Sequence, residues 1–230
     1  MSGFIQDSSF WGTLLSIAAY MVGTGIKNKM KLTILNPLSI AIIIVMGCLV
    51  TLQSDYESYQ ASSRYITYLL TPATVCLALP LYERLSLLKN NFSIILAGIS
   101  AGMLTCFSVV FLLSVFFRLT HPMYVTLLSK SVTMAIGVPL VEQLGGYAPI
   151  AAAVIIITGI LGNMFAENLF SWCNIDDPIA RGLALGTASH VIGTAKAMEM
   201  GSVEGTISSL AIIVTGLLTV LFINVFAVML

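Results

Sequence analysis

The sequence predicts an all-α polytopic membrane protein of about eight membrane segments, at least two of them interrupted or re-entrant, in an internal-repeat, transporter-like architecture. Three observations carry this. Of 230 residues, 58% are hydrophobic and 9% are charged, with a mean hydropathy of +1.00, whereas a soluble domain carries about 25% charged residues. Apolar stretches near the roughly 20 residues of a bilayer crossing follow one another with little between them. Several of those stretches are broken by Pro, Gly, Ser and Thr at matching places.

Taken in order, the first segment is about 10–26; Lys27, Lys29 and Lys31 follow it, and the start has no basic leader, so it reads as an uncleaved span. The second runs about 32–51, with Asn36-Pro37 as a kinked start. The loop QSDYESYQASSR leads to a less uniform third segment at 65–82. The fourth, 92–117, is long and free of charge, and His121-Pro122 reads as an external turn after it. A polar-tinged fifth segment covers 123–141, and an apolar sixth about 148–170. Asp176, Asp177 and Pro178 read as a loop and helix start, Pro being welcome in a first turn. The seventh is about 179–200 and the eighth 205–229. These fill residues 1–230 as a single integral membrane domain with no soluble domain. Short loops rich in Lys and Arg face the cytoplasm. That places Lys27, Lys29 and Lys31, and then Arg84 and Lys89, inside. Eight full crossings put both termini outside, and a re-entrant fifth or seventh segment changes the later part of this assignment.

The chain also repeats itself. Thr74, Pro80, Leu81, Glu83 and Leu85 of TPATVCLALPLYERL align with Thr133, Pro139, Leu140, Glu142 and Leu144 of KSVTMAIGVPLVEQL. SHVIGTAKAMEM is a weaker third copy, and ITGIL and VTGLL continue the match. A Pro within a helix removes a backbone hydrogen bond, and freed backbone groups at membrane depth survive only where protein or a cavity receives them. Paired interrupted segments therefore point to a binding site near the midplane. The expected backbone breaks are Pro72, Pro80, Gly137, Pro139, Gly186 and Gly193.

The seventh segment, too polar for lipid, carries two stripes at helical spacing. Gly182, Gly186, Ser189, Gly193 and Lys196 form a small-residue face suited to close helix packing. Thr187, His190, Thr194, Ala197 and Gly201 form a polar face able to bind an anion or carry a proton. An ionisable group at membrane depth costs at least a few kcal/mol, which marks His190 and Lys196. Lys130 sits among Ser129, Ser131 and Thr133, and a meeting of segments five and seven makes a cavity suited to a carboxylate. The candidate substrate-binding residues are Thr71, Thr74, Lys130, Ser131, Thr133, Thr187, Ser189, His190 and Thr194. His190, Lys196 and Glu142 are candidates for a proton or charge relay, with snorkelling to the membrane edge as the alternative for Lys196. Asn163 and Glu167 share one face of segment six. The four cysteines show no zinc spacing and read as small apolar filler. No nucleophile, metal or phosphate motif stands out, so a non-enzyme without metal or cofactor is expected. The ten basic and ten acidic residues balance and form no nucleic-acid patch.

The run RGLALGTASHVIGTAKAMEMGSVEGTISSLA, with LNP at 35–37, TPATVCLALPLY at 71–82 and LLSKSVTMAIGVPLVEQLGG at 127–146, resembles the LrgB/CidB family, which includes the C-terminal half of the plastid glycolate/glycerate translocator. The likeness covers nearly the whole chain. Many relatives have Arg where this chain has Lys130, which keeps the charge and loses bidentate geometry. The resemblance implies one of two functions. One, which the interrupted segments with His190 and Lys130 favour, is transport of small monocarboxylates such as pyruvate, glycolate or glycerate; the repeated interrupted segments themselves suggest an elevator or rocking mechanism, and His190 a coupled proton. The other is a holin/antiholin-like role that modulates murein hydrolase activity and cell lysis with a small LrgA/CidA-type partner. It further implies a bacterial inner membrane, a lipid-embedded homo-oligomer such as a dimer, and a small carboxylate as substrate.

Overall fold

The computed structural model describes residues 9–30, 37–69, 72, 76, 82 and 85–230, and every regular element among them is helical. The chain divides into two compact units, Met1–Leu77 and Ala78–Leu230. The first repeat copy falls largely outside the described residues, including Thr71, Thr74 and Pro80; Pro72 is described and exposed.

The first unit holds α1 (Trp11–Met30), α2 (Pro37–Thr51) and α3 (Tyr56–Tyr68). The sequence reading placed a loop over most of α3. The residues after Asp55 instead form a helix because Tyr59 and Ser62, three apart, lie on one face and meet α1. Ser16 and the Tyr59 hydroxyl are 2.7 Å apart, and the Gly12 amide donates to Ser62 Oγ at 3.1 Å. Gly12 is itself demanded there, since a Cβ would stand 2.8 Å from the Tyr59 carbonyl oxygen.

The second unit comprises α4 (Leu85–Phe116), α5 (His121–Leu128), α6 (Met134–Gln143), α7 (Ala148–Trp172), α8 (Pro178–Met200) and α9 (Ser202–Ala227). Three stretches, Asn91–Phe116, Ala148–Trp172 and Ser202–Ala227, are long and apolar enough among the described residues to cross a membrane. His121-Pro122, expected as a turn, opens α5, because Pro suits a first helical turn where no amide is needed.

The fifth apolar segment is two short helices joined by Ser129–Thr133. They fold back on one another: the Tyr147 amide donates to Thr126 Oγ1 at 2.8 Å. Leu140 and Leu144 pack on the core of Tyr124, Val125 and Leu128. The break was expected at Gly137 and Pro139, yet α6 runs helically through both. Pro139 is the sixth residue of α6, and the chain turns earlier, where the Ser129 and Thr133 carbonyls accept local amides.

Helix α8 also reverses. His190 has φ 43° and ψ −137°, a non-helical conformation inside the element. Beyond it the second arm lies along the first: Leu185 and Ala197 share a core with Ala166 and Phe170 of α7, and Arg181 and Met200 line one cavity. In a straight helix Arg181 and Met200 would stand roughly 28 Å apart. Gly193 is required by this reversal, as a Cβ there would sit 2.6 Å from the Leu185 carbonyl oxygen. Gly186 packs against the Ser208 carbonyl of α9 and lies within the helical first arm; neither it nor Gly193 is where the backbone breaks.

Helix α4 is the ruler against which both hairpins are measured. Gly98 faces Leu183, Gly102 faces Thr187, and Cys106 meets Ser131. Further along, Phe111 meets Tyr124 of α5. The α8 hairpin thus rises from one end of α4 and the α5–α6 hairpin descends from the other. Helix α9 repeats the order, with Glu204 at Gly182, Ser208 at Gly186, and the Phe226 carbonyl accepting from the Tyr124 hydroxyl at 2.7 Å. Interleaved apolar side chains hold the frame: Ile95, Ile99, Ile207 and Ala211 at one end, Met103, Phe107 and Ile223 at the other.

Candidate functional site

The tips of the two hairpins converge on a cavity of about 560 Å³ bounded on its far wall by α4. From the α5–α6 tip come Lys130 and Ser131, and from the first arm of α8 comes Thr187 with small neighbours such as Ala184 and Ala188. Gly102, Thr105 and Cys106 supply the α4 wall. Lys130 Nζ donates to Ser131 Oγ at 3.2 Å, and Cys106 Sγ lies 3.3 Å from that oxygen. Among the described residues no carboxylate is within ion-pair reach of Lys130, because the ion pairs use Arg181 and Lys196. A cation on a mostly apolar wall, satisfied only by a hydroxyl, is an electrostatic seat for an anion. Thr187 is 6% exposed; its methyl faces Gly102 at the cavity wall, and its hydroxyl is buried without a hydrogen-bond partner among the described residues.

Why the chain turns at each tip is local chemistry. Ser129–Thr133 contains two serines and a threonine, residues that compete with the helix for backbone hydrogen bonds. Thr133 then stands at the N-terminal boundary of α6 in an extended conformation and does not line the cavity. At the other tip, His190 turns its ring away from the cavity into α7. Its Nε2 donates to the Ile155 carbonyl at 2.9 Å, and the ring occupies the notch left by Gly159, where a Cβ would be 2.7 Å from Cε1. Ser189 fills the next notch, at Gly162. His190 and Ser189 are therefore seated in a helix contact, and of the polar stripe only Thr187 lines the cavity.

The other expected residues also have partners. Thr194 donates to the His190 carbonyl at 3.1 Å and accepts from Ser208 at 2.7 Å, joining α8 to α9. Lys196 is buried and pairs with Glu167 of α7 at 2.6 Å and Glu199 at 3.6 Å, so it is bound within the protein rather than snorkelling. Asn163 Nδ2 donates to the Ile192 carbonyl at 3.0 Å. Together His190, Asn163 and Glu167 clip the second arm of α8 onto one face of α7. Glu142 is exposed at the end of α6, remote in the chain's course from Lys196. The helix start expected at Asp176, Asp177 and Pro178 is found, and Asp177 caps α8 there, accepting from the Ala180 amide at 2.9 Å. Among the described residues no cluster of three or more His, Cys, Asp or Glu could hold a metal.

Sequence reasoning missed the α4 wall and the α7 notches. A signal existed in both: Gly98, Gly102, Thr105 and Cys106 recur at 4, 3 and 1 in an otherwise bulky span, and Gly159 and Gly162 interrupt IIITGILGN. Cys106 was read as filler; it borders the cavity and touches Ser131.

Comparison with known proteins converges on one family. The LrgB-like family model matches residues 16–229. The chain is 34% identical over 212 residues to the holin-like protein CidB of Staphylococcus aureus, covering 92% of this chain and 93% of that protein. The holin-like protein CidB of Staphylococcus epidermidis matches to the same extent. The antiholin-like protein LrgB of Bacillus subtilis is 33% identical over 220 residues, 95% of each chain. No solved structure matches. With nearly its whole length matched, this membrane protein belongs to the LrgB-like family.

Proposed function

We propose that the chain is an integral membrane component of a holin/antiholin-like system, and that it acts there by carrying small monocarboxylates through the cavity at the two hairpin tips. The relatives' names, holin-like and antiholin-like, favour the first part. The observation that carries the second is Lys130: a cation without a carboxylate partner among the described residues, at the meeting point of two oppositely directed hairpins. Interrupted helices around a midplane site are the architecture of alternating-access transporters, whereas a pore made by oligomerising helices has no use for a half-buried cation held by a hydroxyl. Changed carboxylate flux would alter lysis indirectly, which joins the two readings.

On this reading the hairpins are re-entrant, entering from opposite faces, and α4, α7 and α9 cross. Arg84 and Lys89 set the start of α4 in the cytoplasm. The α8 hairpin then opens from the cytoplasmic side and the α5–α6 hairpin from the outer side of a bacterial inner membrane. Pyruvate, glycolate and glycerate are the substrates to try first, with an LrgA/CidA-type protein as partner and a homodimer as assembly. Proton coupling, if present, does not run through His190 alone, because its ring faces α7.

The test is uptake of labelled pyruvate or glycolate into proteoliposomes, with and without a pH gradient. Lys130→Met is expected to lower uptake by at least tenfold and Lys130→Arg to retain much of it. Absence of uptake for every small acid, with a lysis phenotype unchanged by Lys130→Met, leaves the holin-like reading alone.

A further inference from the structure

The hydroxyl proton of Ser131 has no strong acceptor. Lys130 Nζ can only donate, so Ser131 Oγ is the acceptor in their 3.2 Å bond and its own hydrogen must point elsewhere. The other neighbour of that oxygen among the described residues is Cys106 Sγ, at 3.3 Å. If Ser131 donates there, it meets a weak acceptor; if the thiol donates instead, the hydroxyl hydrogen is left over. Either way that hydrogen is available to a better acceptor entering the cavity, which Lys130, Ser131 and Cys106 all line. The nearby hydroxyls differ. Thr105 donates to the Ala101 carbonyl at 2.8 Å and Ser129 to the Thr126 carbonyl at 3.2 Å. The Thr187 hydroxyl is buried while its methyl faces Gly102.

We infer that Ser131 is the second carboxylate donor of the site: Lys130 holds one oxygen, the Ser131 hydroxyl turns from Cys106 to the other, and the acid's α-carbon comes to lie beside the Cys106 thiol. This rests on the carboxylate reading of the same site and deepens it. An ammonium is a compact charge with rotating donors and does not by itself fix the plane of a carboxylate. A hydroxyl on the next residue, already in contact with that ammonium, supplies the second point. The exchange of partners is favourable, because a hydrogen bond to an ionised oxygen is roughly twice as strong as one between neutral groups, and sulfur is a weaker acceptor still. Both donors engage the carboxylate alone, so the seat serves short and hydroxylated acids alike.

The experiment is alkylation of Cys106 in the purified, detergent-solubilised protein by iodoacetate, itself a two-carbon acid, and by uncharged iodoacetamide. Peptide mass spectrometry reads each site, with exposed Cys173 as the internal standard. The thiolate attacks the iodine-bearing carbon; the S–C bond forms as the C–I bond breaks, iodide leaves, and the thiol proton goes to water. The iodoacetate-to-iodoacetamide rate ratio is expected to be at least about tenfold higher at Cys106 than at Cys173, with pyruvate protecting Cys106 alone. Ser131→Ala should lower the Cys106 ratio about tenfold while leaving its iodoacetamide rate unchanged, a split that a merely structural loss would not produce. Ser131→Thr, which keeps the hydroxyl, should retain most of the ratio. A ratio and a pyruvate protection that survive Ser131→Ala but not Lys130→Met overturn the inference and leave the carboxylate seat at Lys130. Equal ratios at Cys106 and Cys173 without protection, for a protein whose pyruvate uptake in proteoliposomes depends on Lys130, overturn it and leave transport standing, since the acid then binds away from the thiol. No uptake of any acid, with Lys130→Met silent, overturns both.

Discussion

Replacing His190 by glycine and, separately, by alanine reads the reversal of α8 through a change of sign. In a continuous helix glycine is less stable than alanine by about 1 kcal/mol. At φ 43° and ψ −137° the balance inverts, because an L side chain pays a backbone strain of roughly 1–3 kcal/mol there and glycine does not. Both variants lose the same imidazole contacts: the 2.9 Å bond to the Ile155 carbonyl and the filling of the Gly159 notch. The difference between them therefore isolates the backbone. His190→Gly should be the more stable of the two by about 1–2 kcal/mol. Both should fall below the parent, since the hydrogen bond is worth about 1 kcal/mol and the emptied notch adds a cavity cost. Thermal unfolding of the purified protein in one detergent, with each variant compared at equal concentration, gives the order of the three. A His190→Ala protein more stable than His190→Gly refutes the reversal at this residue, and with it the hairpin that delivers Thr187 to the cavity.

Other expectations follow from single contacts. Gly186→Ala forces a methyl onto the Ser208 carbonyl and should destabilise by about 1–3 kcal/mol, whereas Gly25→Ala meets nothing within 4 Å and should be neutral or slightly stabilising; thermal midpoints in detergent compare them. Lys196→Met leaves Glu167 without its 2.6 Å partner; with Glu167 44% exposed the loss should be about 1–2 kcal/mol, and the double change to Met at both positions should recover most of it. Cysteine labelling with an impermeant thiol reagent in intact cells tests the hairpins as membrane elements. In a chain whose remaining cysteines are Ser, Arg118→Cys and Gln143→Cys should both label from outside, and native Cys173 only after lysis. Eight full crossings would instead put positions 118 and 143 on opposite sides.

Much of the second unit was legible. The spans now seen as α4, α7 and α9 stand out because a run of Ile, Leu, Val and Phe at bilayer length has few other solutions. That the fifth and seventh segments are not plain helices was readable from their Ser, Thr, Gly and Pro content. The location of each break was not. Pro139 and Gly186 were the local candidates, yet a proline can be tolerated within α6 and a glycine can serve close packing on Ser208. His190 is held at positive φ by the Ile155 carbonyl and the Gly159 notch, 31 to 35 residues away in sequence.

The same division governs the site. Residue chemistry alone determined a membrane-embedded helical chain of this family, a conspicuous cation at Lys130, and hydroxyls near it, because charge and polarity at membrane depth are costly wherever the chain goes. Which of those groups face one another was decided only in three dimensions. Lys130 and Ser131 meet Thr187 because two hairpins of opposite direction end at the same level of α4. His190 and Ser189 are withdrawn from that meeting because α7 offers them glycine notches. A helical stripe specifies which side chains share a face, and only the packing of neighbouring helices specifies what that face meets.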